Sequence, residues 1–279
     1  MNRLNENFID ILFRLHSTLK GHGEPFRSRA YEKAEETLIN YRGNITSTED
    51  IKGLPNIGPG IIKKLDEFVK TGEVKYLRNL EESPINVLTN VHGIGSVKAK
   101  KLIQKGITTL DKLKKVQETE LNGQQKKGLL YFDDIQQRIP KDEIDLYDLL
   151  LRKKFDLIND DNKGKFLICG SYRRGHKDSG DIDVAITHED GDKTIYKKFM
   201  NILKENNIIV DFLMNGETKS HLITRLPGNI NRRMDFLYHP PSEYAFAILY
   251  FTGSKQFNIA TRQRARNMGY TLNEQGIFY

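Results

Sequence analysis

The sequence predicts a multidomain protein in which an all-α N-terminal region is followed by an α+β domain and a short helical and α+β C-terminal segment. Three observations lead to this prediction: helix-spaced apolar residues in the first half, a glycine turn that occurs twice, and short β-branched or aromatic runs from about residue 165. The 279 residues are 38% hydrophobic, which is enough for two or more compact units.

The first half of the chain has the spacing of amphipathic helices. Ile9, Leu12, Phe13 and Leu19 recur at roughly helical intervals, and "SRAYEKAEETLINY" continues with strong helix formers. Polar and charged residues interrupt the opening "MNRLNENFIDILFRLHSTLK", and no apolar run in the chain approaches the length of a membrane span. We therefore expect no membrane partner and an intracellular location.

A glycine turn occurs twice, 37 residues apart, in "LPNIGPGIIKKLDEF" and "VHGIGSVKAKKL". Gly58 and Gly95 occupy equivalent positions, where glycine would allow a positive φ and a close approach to a phosphate; Asn56 replaces the first glycine of the earlier copy. Each copy resembles a helix-hairpin-helix motif. Because lysines follow both turns and the net charge is +7, the repeat predicts binding to the phosphates of duplex DNA without base readout.

The second half has the texture of a sheet domain. The runs "KFLICG", "DIDVAIT", "NIIVDFLM", "HLITRL" and "RRMDFLYH" predict strands, and "KTIYKKFMNILKEN" predicts a helix between two of them. A proline in "RIPKDEI" favours a boundary near residue 140, and Pro240 and Pro241 precede a return to helix. The single cysteine, Cys169, is expected to be a buried free thiol, which excludes disulfides and cysteine-ligated zinc.

Two aspartates are separated by one residue in the predicted strand "DIDVAI". Asp181 and Asp183 therefore emerge on the same face, where they would repel each other unless a cation lay between them. Hard oxygen ligands suit Mg²⁺. Asp235, on a later strand, is the candidate for a third carboxylate. The preceding turn supplies groups that bind phosphate: backbone N–H groups, the Ser171 hydroxyl, and the guanidinium groups of Arg173 and Arg174. This combination predicts phosphoryl transfer at a two-metal site.

The pattern G-S-x(8)-G-D-x-D is the signature of the nucleotidyltransferase superfamily, and the chain resembles a family X DNA polymerase of the polymerase beta type. The resemblance covers nearly the whole chain, because "LPNIGPG", "VHGIGS", "GSYRRGHKDSGDIDV", "GETK", "RRMDF" and "YFTGSKQFN" follow one another in the order of that family. It implies four regions: a lyase-like helical domain at 1–80 with the first hairpin, a fingers-type subdomain at 81–140 with the second, a nucleotidyltransferase palm at 141–240, and a shortened thumb at 241–279.

The resemblance also implies an activity. The family's reaction is templated filling of short DNA gaps in base excision repair, with two Mg²⁺ ions that Mn²⁺ is able to replace. Asp181, Asp183 and Asp235 would hold these ions, and Asp235 would activate the primer 3′-hydroxyl. By the same comparison, the incoming deoxynucleoside triphosphate would be bound by Arg138, Ser171, Arg174, Gly180, Asp181, Tyr250, Phe251, Gly253, Asn258 and Arg262, and Glu274 would act with Arg262 in sensing closure on the correct pair.

Contacts with DNA follow from the resemblance as well. The residues implied are Phe26, Arg27, Tyr31, Gly58, Gly60, Gly93, Gly95, Lys98 and Arg233. One Na⁺ or K⁺ ion at each hairpin would be bound by backbone carbonyls, those of Lys52, Leu54 and Ile57 in the first copy and of Thr89, Val91 and Ile94 in the second.

The first domain resembles one that removes a 5′-deoxyribose phosphate through a Schiff base, for which Lys64 would be the nucleophile. The sequence departs from the family in three places near its sites. Gly60 and Tyr76 stand where the family has basic residues, and Lys255 replaces an acidic residue. The family also continues beyond "TLNEQGIFY", so a fragment or a naturally short form is expected.

Three function classes remain open on these grounds. The first is a monomeric gap-filling polymerase that takes gapped or nicked DNA with a 5′-phosphate and deoxynucleoside triphosphates. The second is a template-independent nucleotidyltransferase, and the third is a gap-binding protein with weak catalysis. The compartment would be the nucleus for a eukaryotic source, and the cytoplasm or a virus factory for a viral one.

Overall fold

The computed structural model of the chain describes residues 3–279, so the first two positions of the predicted 1–80 domain lie outside the described residues. The described chain divides into two compact units. The first ends at Lys126 and the second spans Lys127–Tyr279. The boundaries expected near residues 80, 140 and 240 stay predictions.

Every secondary-structure element in the described residues of the first unit is a helix, as the sequence predicts. Its helices are α1 (Asn5–His22), α2 (Pro25–Asn40), a 3₁₀ helix (Thr48–Ile51), α3 (Pro59–Thr71), α4 (Lys75–Glu81), α5 (Pro84–Thr89), α6 (Ser96–Gln104), α7 (Leu110–Lys115), α8 (Gln117–Glu120) and the start of α9 (Gly123–Leu130).

Helix α1 forms because one face of it is continuously apolar. Phe8, Leu12, Leu15 and Leu19 recur every three or four residues and are fully buried in the first core. Burial of each such side chain contributes about 1.5–3 kcal/mol. The helix ends at Gly23, whose φ of 78° allows its N–H to bond back to the last carbonyls.

The second unit is α+β. Its elements are α10 (Phe132–Ile135), β1 (Ile139–Pro140), α11 (Lys141–Asp156), β2 (Gly164–Ile168), α12 (Gly170–Arg173), β3 (Asp178–Ser179), β4 (Ile182–His188), α13 (Thr194–Glu205), β5 (Ile209–Asn215), β6 (Lys219–Thr224), β7 (Arg232–Tyr238), α14 (Pro241–Thr252), α15 (Lys255–Asn267), β8 (Thr271–Leu272) and β9 (Ile277–Phe278).

The strands of residues 3–279 form one five-stranded mixed sheet, in the order β2-β4-β7-β6-β5, and two small ribbons, β1 with β3 and β8 with β9. Within the mixed sheet β4 and β7 run parallel, and the other neighbours are antiparallel. The parallel register sets Asp183 opposite Asp235. The strand of Asp235, the candidate third carboxylate, therefore lies beside that of Asp183.

Aromatic side chains hold helices α11 and α13 against the mixed sheet. The ring centroid of Phe199 lies 4.9 Å from that of Phe155 and 5.6 Å from that of Phe236, in edge-to-face arrangements. Such pairs contribute about 0.5–1.5 kcal/mol beyond their burial. The packed helices fix the strands that carry the aspartates.

Cys169 is a buried free cysteine, as predicted. Among residues 3–279 no helix combines the length and the apolar character that crossing a membrane requires.

Candidate active site and DNA-binding turns

Three carboxylates converge at one end of the mixed sheet. Asp181 precedes β4, Asp183 lies within it, and Asp235 lies on β7. Each offers a carboxylate oxygen, and these oxygens all lie within 4.8 Å of one another. The expected convergence of the three aspartates is confirmed, whereas their catalytic role stays a prediction.

The surroundings shift the pKa values of the three carboxylates in different directions. Burial, together with the charges of Asp181 and Asp235, raises the pKa of Asp183 to about 7. Burial likewise raises the pKa of Asp181. For Asp235 burial also acts in that direction, but hydrogen bonds from His221 and Arg233 outweigh it and hold the pKa below its usual value. Asp235 is therefore the member of the group that is most firmly ionised.

The partners of Asp235 come from the same strand and from its neighbour β6. Arg233 donates from Nε to Oδ1 over 3.1 Å and from Nη2 to Oδ2 over 2.6 Å. Nδ1 of His221, whose Cα is the cross-strand partner of Asp235, lies 2.8 Å from Oδ2. Arg233 Nη2 also lies 3.8 Å from Asp181 Oδ2, so the guanidinium that was expected to contact DNA lies between two of the carboxylates.

This donor set fits divalent cations such as Mg²⁺. Its ligand atoms are hard oxygens, and the raised pKa values of Asp181 and Asp183 reflect burial first and repulsion between the carboxylates second, both of which a cation would offset. A second acidic group with His188 is less suited to a metal, because both ring nitrogens have partners: Nε2 lies 3.0 Å from Asp161 Oδ2, and Nδ1 accepts from the Asp190 N–H over 3.3 Å.

The "GSYRR" turn lies directly against Asp183. Gly170 has a φ of 65°, and a Cβ at this position would lie 3.2 Å from Asp183 Oδ2. The close approach therefore requires glycine on two counts. The Cys169 N–H donates to the Asp183 carbonyl over 2.8 Å, and the Ser171 hydroxyl donates to Ser179 Oγ over 2.7 Å. The predicted phosphate-binding turn is thus fixed to the strand of the carboxylates.

The predicted nucleotide-binding residues beyond the turn form connected contacts. Arg174 Nη1 donates to the Thr252 carbonyl over 2.7 Å, which links the turn to "YFTGS". Asn258 Nδ2 donates to the Tyr250 carbonyl over 2.7 Å, and Arg262 lies 4.7 Å from the Tyr250 ring centroid. The remaining predicted members lie beside these contacts: Phe251 packs edge-to-face on Tyr250, Gly253 has a φ of 63°, and Glu274 lies 3.7 Å from Arg262.

Arg138 and Gly180 meet at the ribbon of β1 and β3. Arg138 Nε and Nη2 both donate to Asp178 Oδ1, over 2.9 and 2.6 Å, and Nη2 also donates to the Asp178 carbonyl over 3.1 Å. An ideal Cβ on Gly180 would lie 3.3 Å from Arg138 Nη1. The guanidinium therefore packs on the glycine backbone next to Asp181.

The two hairpin turns share one backbone conformation, but the positive φ lies two residues before the glycines at which the sequence suggested it. Gly58 and Gly95 have φ of −86° and cap α3 and α6, because the residue before a helix is extended. Positive φ occurs at Asn56 (65°) and Gly93 (85°). No atom of the described residues outside their chain neighbours would lie within 4 Å of a Cβ on either capping glycine, so the helix N–H groups there are open to an anion.

The carbonyls expected to bind Na⁺ or K⁺ lie in these turns. The Ile57 N–H donates to the Leu54 carbonyl over 3.2 Å, and the Ile94 N–H donates to the Val91 carbonyl over 3.0 Å, which repeats the turn 37 residues later. The carbonyl of Lys52 comes immediately after the 3₁₀ helix, and that of Thr89 belongs to the last residue of α5. Of the lysines after the turns, Lys98 lies 3.5 Å from Glu120.

The predicted lyase residues gather around Lys64. Its Nζ donates to the Gly60 carbonyl over 3.2 Å and lies 5.8 Å from the ring centroid of Tyr31 and 5.1 Å from that of Tyr76. Arg27 lies 5.6 Å from the centroid of the Tyr76 ring. Phe26 is 85% exposed on the same helix as Arg27. The structure thus adds Tyr76 as an aromatic neighbour of both cations.

Sequence reasoning missed three residues of these sites. His221 contacts Asp235, and Asp178 contacts Arg138, because strand pairing brings each pair together. For Tyr76 the sequence indicated only the loss of a basic residue. For His221 a signal exists, because its place in the strand "KSHLIT" would pair with Asp235 once the β6–β7 register is known.

Family comparisons match the chain in four consecutive segments. Residues 3–74 match a helix-hairpin-helix domain, 86–136 the fingers domain of DNA polymerase lambda, 138–241 the DNA polymerase beta palm, and 247–279 the DNA polymerase beta thumb.

Individual relatives align over nearly the whole chain. DNA polymerase lambda of Arabidopsis thaliana is 33% identical over 99% of this chain and 54% of its own length. DNA polymerase lambda of Rattus norvegicus is 30% identical over 91% of this chain and 46% of its own length. DNA polymerase type-X family protein pol4 of Schizosaccharomyces pombe is 26% identical over 90% of this chain and 51% of its own length. The chain spans about half the length of the relatives that it matches.

Proposed function

The chain belongs to the family X DNA polymerases, and from this premise we propose that it is a DNA-templated polymerase that fills short gaps during base excision repair. The observation that carries the proposal is the group of three carboxylates, with Asp235 buried and Asp181 and Asp183 half-buried, whose oxygens lie within 4.8 Å of one another beside the "GSYRR" turn. Paired carboxylates next to phosphate-binding groups suit nucleotidyl transfer, because that reaction needs positioning and charge neutralisation above all.

In the proposed reaction the primer 3′-hydroxyl oxygen attacks the α-phosphorus of the nucleotide, the bond from that phosphorus to the β-phosphate oxygen breaks, and pyrophosphate leaves. Asp235 would accept the hydroxyl proton, since its low pKa keeps it ionised. Asp181, Asp183 and Asp235 would hold two Mg²⁺ ions, which would neutralise charge on the reacting phosphates. Arg233, which donates to Asp235 over 2.6 Å, would supply positive charge to the same carboxylates.

The incoming triphosphate would be bound by the N–H groups of the turn, Ser171 and Arg174. Arg174 already donates to the Thr252 carbonyl, which supports a joint role for the turn and the "YFTGS" segment in holding the nucleotide. Asn258 and Arg262 line that segment beside Tyr250. The hairpins would hold the DNA by its phosphates, with Na⁺ or K⁺ on their carbonyls.

A test is single-nucleotide insertion into a gapped duplex, with Asp235→Ala compared with the unaltered chain. We expect the variant to insert at least about 10²–10³-fold more slowly, because it removes both a metal ligand and the proton acceptor. Glu189→Ala is the matched control: it removes a charge of the same sign, paired with Lys165 on the exposed end of the same sheet. Equal activity of Asp235→Ala and the unaltered chain would refute the proposed site.

The second activity we propose is 5′-deoxyribose phosphate removal by Lys64. The Lys64 amine would attack the sugar aldehyde with loss of water to form an imine; loss of a C2′ proton would then break the C3′–oxygen bond and leave a 5′-phosphate on the DNA. Tyr31 and Tyr76 surround the ammonium group, and Arg27 lies close enough to contact a 5′-phosphate beside it.

Borohydride trapping of the imine tests this activity. Lys64→Ala should form no trapped adduct with a gapped DNA that carries the 5′-deoxyribose phosphate. Lys63→Ala is the control, because Lys63 is the adjacent lysine and lines a separate cavity of about 840 Å³ with Lys52 and Lys70. Undiminished trapping by Lys64→Ala would exclude Lys64 as the nucleophile.

The three relatives above come from a plant, a rat and a fission yeast. A repair polymerase acts where chromosomal DNA is held, so we propose the nucleus as the compartment in a eukaryotic source. Gapped DNA with a 5′-phosphate and deoxynucleoside triphosphates would be the partners.

A further inference from the structure

Asp178 is a carboxylate in a place where a triphosphate-binding site is expected to have positive charge. It lies three residues before Asp181 and accepts three hydrogen bonds from Arg138, two on Oδ1 at 2.9 and 2.6 Å and one on its carbonyl at 3.1 Å. Its side chain is 40% exposed and that of Arg138 is 57% exposed. A pair this exposed contributes little to folding stability, so its contacts are better explained by the orientation that they give to the Arg138 guanidinium.

The fold holds the two residues in register. Strand β1 pairs with β3 so that Pro140 lies opposite Asp178 and Ile139 lies opposite Ser179. Ser179 is buried and accepts a hydrogen bond from Ser171, a residue of the proposed triphosphate site. Asp178 and Arg138 are therefore anchored, through their neighbours, to the turn that would bind the nucleotide.

Within residues 3–279, the contacts leave one edge of the Arg138 guanidinium free for a ligand. Arginine has five N–H donors, and here Nε and Nη2 are directed at Asp178. Nη1 lies against Gly180, 3.3 Å from where a Cβ would be. Gly180 directly precedes Asp181 in the chain. The free edge thus lies on the side of the carboxylate group.

Two effects of Asp178 oppose each other. Its negative charge would repel a triphosphate, whereas its hydrogen bonds hold a flexible side chain in one orientation before the ligand arrives. Because Arg138 neutralises the carboxylate at hydrogen-bond distance, we expect the orienting effect to dominate.

The geometry points to Asp178 as a positioning residue that fixes the Arg138 guanidinium on Gly180, with its Nη1 edge turned toward the phosphates of the incoming nucleotide. This inference rests on the proposed polymerase function. Asp178 itself does not touch the nucleotide in this arrangement, and its effect passes through Arg138.

The test is the affinity of the incoming nucleotide in a complex with gapped DNA and Mg²⁺ whose primer ends in a dideoxynucleotide, so that no chemistry follows binding. Asp178→Ala should raise Kd about 3- to 10-fold, the effect of leaving one long side chain to be ordered on binding. Arg138→Ala should raise it further, and adding Asp178→Ala to Arg138→Ala should cause no further loss of affinity, because the second change then removes only an unneutralised negative charge. In insertion kinetics the same Asp178→Ala change should appear in KM, with kcat altered less than about twofold.

Two further variants separate a positioning role from loss of charge or of folding. Asp178→Asn keeps an acceptor for Arg138 and should restore most of the affinity, whereas Glu189→Ala should match the unaltered chain. Tighter nucleotide binding by Asp178→Ala, or an equal loss with and without Arg138, would overturn the inference while leaving the polymerase function in place. Failure of the unaltered chain to bind or insert any nucleotide would overturn the polymerase function and this inference with it.

Discussion

Asp183 is the residue whose chemistry depends most on its surroundings. Burial and two neighbouring carboxylates raise its pKa to about 7. Asp235, with a carboxylate oxygen within 4.8 Å of one of Asp183, keeps a low pKa because His221 and Arg233 contact it. Two aspartates of one group therefore have pKa values that are shifted in opposite directions. This contrast suits a site where one carboxylate must remain a base and another releases its proton when a cation binds.

A substitution at Asp183 should stabilise the protein while removing its activity. A folded-state pKa above the unfolded value means that ionised Asp183 opposes folding, an effect that grows as pH rises from about 4 and is complete above about pH 7. In EDTA, Asp183→Asn should therefore raise the Tm of the second unit by about 2–4 °C at pH 8, and by less at pH 5. Thermal unfolding at the two pH values measures this difference. A lower Tm at pH 8, or a gain that is larger at pH 5, would contradict the assignment.

In each hairpin turn, the backbone conformation of one residue determines how the next helix begins. Asn56 and Gly93 take the positive φ that closes each turn, and this leaves Gly58 and Gly95 extended at the helix starts, with open space around them. Conformation at one position thus exposes the N–H groups at another. Both turns keep the same backbone hydrogen bond, although the residue with positive φ is asparagine in the first turn and glycine in the second.

Asn56 provides a local test of this turn. Its φ of 65° is tolerated by asparagine and glycine but strained for other residues, so Asn56→Ala should lower the free energy of unfolding by about 1 kcal/mol. Asn56→Gly is the control, since both changes remove the hydrogen bond to Thr37 but only alanine strains the backbone. Urea unfolding compares the two. Equal stability of the alanine and glycine variants would mean that the turn does not require positive φ at this position.

The sequence predicted the helical front, the strands of the second unit and the meeting of Asp181 and Asp183, because periodicity and a one-residue spacing are local properties. It suggested Asp235 as a third ligand, and the parallel pairing of β4 with β7 brings it opposite Asp183. It could not reveal that Asp178 holds Arg138 or that His221 contacts Asp235. Those contacts depend on strand registers, and the β1–β3 ribbon is too short to leave a periodic signal.

At the scale of the whole molecule, the two proposed reactions belong to different compact units. Lys64 and its aromatic neighbours lie in the unit that ends at Lys126, and the carboxylate group lies in the unit Lys127–Tyr279. Each site has its own buried core, one built on α1 and one on the mixed sheet. The side chains named for each of these two sites therefore belong to a single unit.

This separation predicts independent loss of the two activities. Lys64→Ala should abolish borohydride trapping and leave the insertion rate within about twofold on a gap that already has a plain 5′-phosphate. Asp235→Ala should abolish insertion and leave trapping within the same range. The two variants, assayed on both substrates, measure the coupling. A single substitution that removed both activities without unfolding either unit would contradict the division of roles.

Templated gap filling is measured most directly by Mg²⁺-dependent addition of one nucleotide to a primer across a one-nucleotide gap. The measurement is repeated with each of the four template bases and with the primer alone as a single strand. A gap-filling polymerase should add the complementary nucleotide in each case and almost none to the single strand. Addition that ignores the template base or proceeds equally on the single strand would contradict the account, as would tight binding to the gap with no insertion.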